Sequence, residues 1–210
     1  MPVYEGTHVT HPRARRLAAA LALSVALVAA ASVFHGAGHE ARRSEAAERQ
    51  RALLQDAQPT ERSAVETATA FLSSMTLDVL LDVERRRSVL TLYAESSARR
   101  ALERLYAREN DRVASSYRRP PRVARAALLG YRIDGFDRRA ATVSLWAASI
   151  GGSGNYEPST GWSTTTVDLV WSERRWRITG VKEEPGPSSD WPIESLANET
   201  KTFRAFHYAP

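Results

Sequence analysis

The five histidines, His8, His11, His35, His39 and His207, all lie outside residues 60–200. The part of the chain patterned like a folded domain therefore has no imidazole for a nucleophilic triad or a His-based acid–base pair. His35 and His39 have the i, i+4 spacing that sets two imidazoles on one helix face, but no third ligand stands near them. The chain has no cysteine for thiolate or zinc chemistry, and neither a phosphate-binding loop nor a dinucleotide glycine fingerprint occurs. No catalytic residue, cofactor or metal is expected. Carboxylates and phenols remain. Asp168 and Tyr131 are of the types that do acid–base work in a cavity between a sheet and its helices. Each also has a structural reading, Asp168 on a Thr-rich solvated strand face and Tyr131 among core residues. Glu183-Glu184 reads as a solvated turn after a strand rather than as a carboxylate pair.

The tryptophans are the other candidates for function, through contact rather than chemistry. Trp146, Trp162, Trp171, Trp176 and Trp191 all lie in the second half of the chain. Trp171 and Trp176 fit a core. Trp146 alternates out of phase with Leu145 and Ala147, and Trp162 closes a Gly/Ser/Pro-rich loop, residues 151–162, that also holds Tyr156. Trp146, Tyr156 and Trp162 are the candidate partner contacts; packing beneath the loop or the chain's end is their structural alternative.

Net charge is +5, carried by 27 arginines and two lysines against 24 acids. Residues 84–122 hold eleven arginines against five acids. A solvated helical face explains them, and contact with anionic lipid or nucleic acid is the sharper reading. The only aromatics interleaved there, Tyr93, Tyr106 and Tyr117, have spacing suited to helix packing, so no direct nucleic-acid contact is expected.

The elements that position these residues change period midway. Thr60 reads as a helix N-cap before Ala64, Ala68, Phe71, Leu72 and Met75 at helical spacing. A second helix runs from Leu77 or Asp78 to Ala94. A third begins at Ser96 or Ser97 and ends before Pro120-Pro121. Alternation then predicts strands over 122–134, 139–149 and 163–173 and a fourth through Trp176 and Ile178, with Asp134–Asp137 as a turn and a bulge at Gly180. Residues 188–200 suggest a short helix. Three helices packed on a curved four-stranded antiparallel sheet describe an α+β roll, cystatin-like or nuclear-transport-factor-like, over 59–187, followed by a C-terminal tail, 188–210.

Before this domain, Leu17–Phe34 is an eighteen-residue run without a charge, set directly after Arg13, Arg15 and Arg16. At helical rise it reaches about 27 Å, near the thickness of a bilayer's hydrocarbon core. A single-pass transmembrane helix over 17–35 thus follows a short basic tail, 1–16, and a charged helical stalk, 36–58, lifts the domain off the membrane. A cleavable signal peptide ending at Ala29-Ala30-Ala31 competes, although the run exceeds the usual apolar region. The arginines abutting the segment place the N-terminus in the cytoplasm and the domain outside the cell membrane.

The stretches FLSSMTLDVLLDVERRRSVL, STTTVDLVWSERRWRITGVKEEPGP and FRAFHYAP, on this single-span architecture, resemble inner-membrane assembly proteins of conjugative type IV secretion systems. The branch is the TcpC-like one, found in actinomycete conjugative elements. The resemblance covers roughly residues 60–210. TcpC-like proteins usually carry two roll domains, whereas this chain has room for one. The resemblance implies a non-enzymatic scaffold subunit that self-associates and binds other membrane components of a transfer channel. A chain associated with actinobacterial Mce lipid importers is one alternative, and a small-ligand-binding or enzymatic roll using the sheet–helix cavity is another.

Overall fold

A computed structural model describes residues 58–116, 122–154 and 158–206. Four helices come first: α1 (Glu61–Ser74), α2 (Leu77–Leu81), α3 (Val83–Tyr93) and α4 (Ser96–Ser116). Thr60 caps α1 as expected. Its Oγ1 accepts the Ser63 N–H at 3.1 Å, and Ser63 Oγ accepts the Thr60 N–H at 3.2 Å. The single helix expected from Leu77 to Ala94 is two helices. Asp82 is extended (φ −105°, ψ 115°), and its carboxylate accepts the N–H groups of Glu84 and Arg85. A short acid that bonds the backbone ahead of it starts a new helix rather than continuing the old one. Arg86, almost wholly buried, donates to the Leu80 carbonyl left open where α2 stops.

The strands β1 (Arg122–Phe136), β2 (Ala140–Ser153), β3 (Ser159–Ser172) and β4 (Arg175–Pro185) follow as consecutive hairpins. After them come α5 (Ile193–Thr200) and a two-residue β5 (Arg204–Ala205). The sheet is antiparallel, in the order β4-β3-β2-β1-β5. It has five strands rather than four, because the end of the chain folds back onto β1. Asp134 and Gly135 lie inside β1 at a register shift, not in a turn. The turn is one step later, where the Asp137 carboxylate accepts the Arg139 and Ala140 N–H groups at 2.6 and 2.8 Å. The bulge in β4 falls on Thr179, between Ile178 and Gly180.

Odd-numbered residues of β2 and β3 face the helices. Val143, Leu145, Val167 and Leu169 pack there with Trp176 and Ile178 of β4 against Phe71, Met75, Leu80, Leu90 and Tyr106. Phe71 meets the rings of Tyr93 and Tyr106 edge-on at 5.7 and 6.2 Å. Trp176 Nε1 donates to Ser63 Oγ at 2.9 Å, tying the last long strand to the first turn of the first helix. At the β4 edge the Glu95 N–H reaches the Ile178 carbonyl, so the α3–α4 connection joins the sheet.

Among the described residues no helix is long and apolar enough to cross a membrane. The basic tail, the span over 17–35 and the stalk up to residue 57 lie outside them.

Ser63 serves both the α1 cap and the Trp176 indole. Ser63→Ala is expected to destabilise the domain by about 2–4 kcal/mol, from a lost cap and a stranded buried donor. Thr60→Ser, which keeps the cap, should cost less than about 0.5 kcal/mol. Urea denaturation followed by tryptophan fluorescence checks both.

Candidate interaction surface

The other face of the sheet carries the even-numbered residues of β2 and β3. Register pairs Trp146 with Thr164 and Ala148 with Trp162, so the two tryptophans are diagonal neighbours. Their rings stack at 5.9 Å with 27° between planes, and Phe203 lies 6.0 Å from Trp146. The structure thus brings Trp146 and Trp162 together, both half-buried. Tyr156 lies outside the described residues.

What covers Trp146 is the chain's own end. Trp146 Nε1 donates to the Pro187 carbonyl at 3.0 Å, and the Gly186 N–H reaches the Trp162 carbonyl at 3.1 Å. Two glycines allow this approach. A Cβ on Gly186 would stand 2.6 Å from the Ser163 carbonyl carbon, and one on Gly130 would meet Phe203 Cβ and the Arg204 oxygen at 3.0 Å. Arg132 holds the far side of the clasp. Its guanidinium sits 4.9 Å above the Phe203 ring, bonds Asp134, and reaches Glu199 at 3.3 Å and Thr202 at 2.9 Å.

Beyond this clasp the outer face opens into a groove of about 330 Å³. Ala127 and Ala148 form its floor, and Arg125, Ile150, Thr160 and Trp162 its walls. Ile150 is 41% exposed. Arg125 is exposed, and the one bond of its guanidinium is to the Ala124 carbonyl at 2.8 Å. The groove is therefore apolar, with the Arg125 cation on its rim and, among the described residues, no carboxylate paired to it.

The acid–base candidates are not brought together. Asp168 is exposed on the outer face and accepts the Thr142 hydroxyl at 2.9 Å. Tyr131, on β1, packs its ring 5.2 Å from Phe206. The expected turn at Glu183-Glu184 is part of β4, and the two carboxylates diverge. Glu183 lies opposite Thr165 on the helix-facing side with one oxygen shielded from solvent, whereas Glu184 pairs with Lys182 at 2.6 Å. Beneath Glu183 the Tyr106 hydroxyl is fully buried. Burial, reinforced by the Glu183 and Glu109 charges, pushes its ionisation far above the ordinary phenol range. Tyr93 is raised too, chiefly by burial. Among the described residues no three His, Cys, Asp or Glu side chains gather as a metal site. The arginine-rich stretch divides by role: Arg86 is buried, whereas Arg100, Arg104 and Arg108 line the exposed face of α4.

Two predictions follow from this geometry. Gly186→Ala should destabilise the domain by about 1–3 kcal/mol, because the clash is with backbone. Gly135→Ala, with open space around it, should be near neutral. Chemical denaturation of the two variants tests the clasp. In alkali, a phenol whose folded value is raised stabilises the fold below its unfolded value and loses that contribution as pH climbs past about 10. Of the chain's seven tyrosines, Tyr93 and Tyr106 should ionise only as the domain unfolds, which ultraviolet titration would resolve.

No curated protein matches the sequence significantly. Among solved structures, the chain has a distant likeness to the crystal structure of the intermembrane space region of the chloroplast protein ARC6. Identity is 14% and the TM-score 0.39, over 60% of this chain and 98% of that one. The profile of the domain of unknown function DUF8175 matches residues 67–201, from the middle of α1 to the end of α5, and the chain belongs to that family.

Proposed function

We propose that the chain is a non-enzymatic docking subunit, a cystatin-like or nuclear-transport-factor-like roll held outside the cell membrane by residues 17–35. It works through protein–protein contacts of its outer sheet face. One observation carries the reading: the outer face, where water would favour polar side chains, presents an apolar groove walled by Ile150 and Trp162. The interior gives further support. The space between sheet and helices is packed with large side chains such as Phe71, Met75, Leu145 and Trp176, each under 2% exposed. Asp168 lies on the opposite face from that space. The sequence stretches that resemble conjugative type IV secretion proteins favour a transfer channel as the setting. There the chain would self-associate and bind other membrane components.

The test is a crosslinking pull-down of the full chain from its host's membranes, reading both partners and the mature N-terminus. Recovery of channel components with an intact N-terminus is expected. Ile150→Glu, at an exposed position, should lower that recovery at least about tenfold without unfolding the domain. A partnerless monomer beginning near Ser32 would contradict the proposal.

A further inference from the structure

The groove on the outer face has a direction. Register sets Arg125, Ile150 and Thr160 in one row across β1, β2 and β3, and Ala127, Ala148 and Trp162 in the next. The small side chains of the second row make a trench that crosses the strands. Ile150 and Thr160 wall it on one side. On the other side the following row holds Trp146, which the Phe203 ring and the Pro187 carbonyl meet. Trp162 closes the β3 end. Arg125 stands at the β1 end, exposed, with its guanidinium bonded to the Ala124 carbonyl and, among the described residues, to no carboxylate. Two strand spacings, about 10 Å, separate the ends.

Between those ends polar groups are scarce. The Ser149 hydroxyl is taken by the Gly161 carbonyl at 3.3 Å, and Thr160 lies on the exposed rim. An amide or hydroxyl laid along the floor would lose water without gaining a partner. A ligand that fills the trench therefore brings an extended apolar part and one anionic group at its end. We infer that the trench binds a single-chain acyl carboxylate of medium length. Its carboxylate meets the Arg125 guanidinium, whose planar fork matches two carboxylate oxygens. Its hydrocarbon crosses Ala127 and Ala148 and ends between Ile150 and Trp162. One cation in the lining suits a monoanion, and a groove of about 330 Å³, at the small end of ligand sites, suits one chain rather than two. The inference goes beyond the docking function and does not rest on it, although a bound chain would occupy surface that a protein partner needs.

The test uses the full chain in nanodiscs of zwitterionic lipid and decanoate carrying a diazirine near its tail. Irradiation should label Ile150 or Trp162 saturably, with the sites mapped by mass spectrometry; labelling elsewhere, from probe dissolved in the bilayer, serves as the standard. Unlabelled decanoate should compete at least about threefold better than decanol or decyltrimethylammonium. Arg125→Gln, at an exposed position, should weaken groove labelling about three- to fivefold, and Arg125→Lys less. Ala127→Leu, also exposed, should abolish it by filling the trench while circular dichroism stays unchanged. Equal competition by decanol, indifference to Arg125→Gln or unchanged labelling of Ala127→Leu would overturn the inference. So would labelling only outside the groove, or a lysophospholipid that competes better than decanoate and so puts a phosphate on Arg125. A labelled groove in a chain that recovers no protein partner would keep this site and remove the docking function; partners recovered by a chain whose groove takes no label would do the reverse.

Discussion

A sheet of four long antiparallel strands has two faces, and four helices packed on one side cover only one of them. The rest of the architecture answers that constraint. The helix-facing side is closed by Val143, Leu145, Val167, Trp176 and their helical neighbours, and the Trp176 indole is locked to Ser63 at the start of α1. The opposite side is closed in part by the chain's own end, which turns at Pro185-Gly186-Pro187 and lays Phe203 against Trp146. The remainder, between Arg125 and Trp162, stays open.

That division makes the two candidate tryptophans unequal. Trp146 is held from above by Pro187 and Phe203, so its ring serves first to anchor the clasp. Trp162 packs one flank on Trp146 and turns another to the groove. A rigid aromatic supported on one side and open on the other is the kind of residue that dominates protein contacts. Arg132, which sequence patterning did not single out, links both parts of the clasp by bonding Glu199 and Thr202 and covering Phe203.

Much of the fold was legible in the residues because local signals agreed with it. Thr60 caps where a cap is expected, and the clean alternation from Thr164 to Trp171 is a central strand with opposite faces. The two-residue turn at Glu173-Arg174 closes its hairpin with φ of 51° and 62°, positive values at residues that lack glycine's freedom. The break at Asp82 was hidden, because an apolar helical pattern runs through it and only the carboxylate's bonds interrupt it. The fifth strand was hidden for another reason. Gly130 and Gly186 matter through what lands on them, and that contact joins segments far apart in sequence. Trp146 could be chosen from its phase, but Trp162, expected to close a loop over 151–162, lies inside β3, because β2 and β3 pair out as far as Gly151 and Ser159; the groove beside them depends on the smallness of Ala127 and Ala148, which is informative only once register places them together.

The outer sheet face is half clasped and half open, and among the described residues β5 closes the clasp at Gly130 and Tyr131. Amide-resolved native-state hydrogen exchange along β1 addresses this most directly. Protection of successive amides is predicted at Gly130 and Tyr131, where β2 and β5 flank the strand. An alternating pattern is predicted over residues 122–127, with fast exchange at every amide that points away from β2. Uniform protection across residues 122–127 would mean that the edge is already covered, and would contradict a half-open outer face.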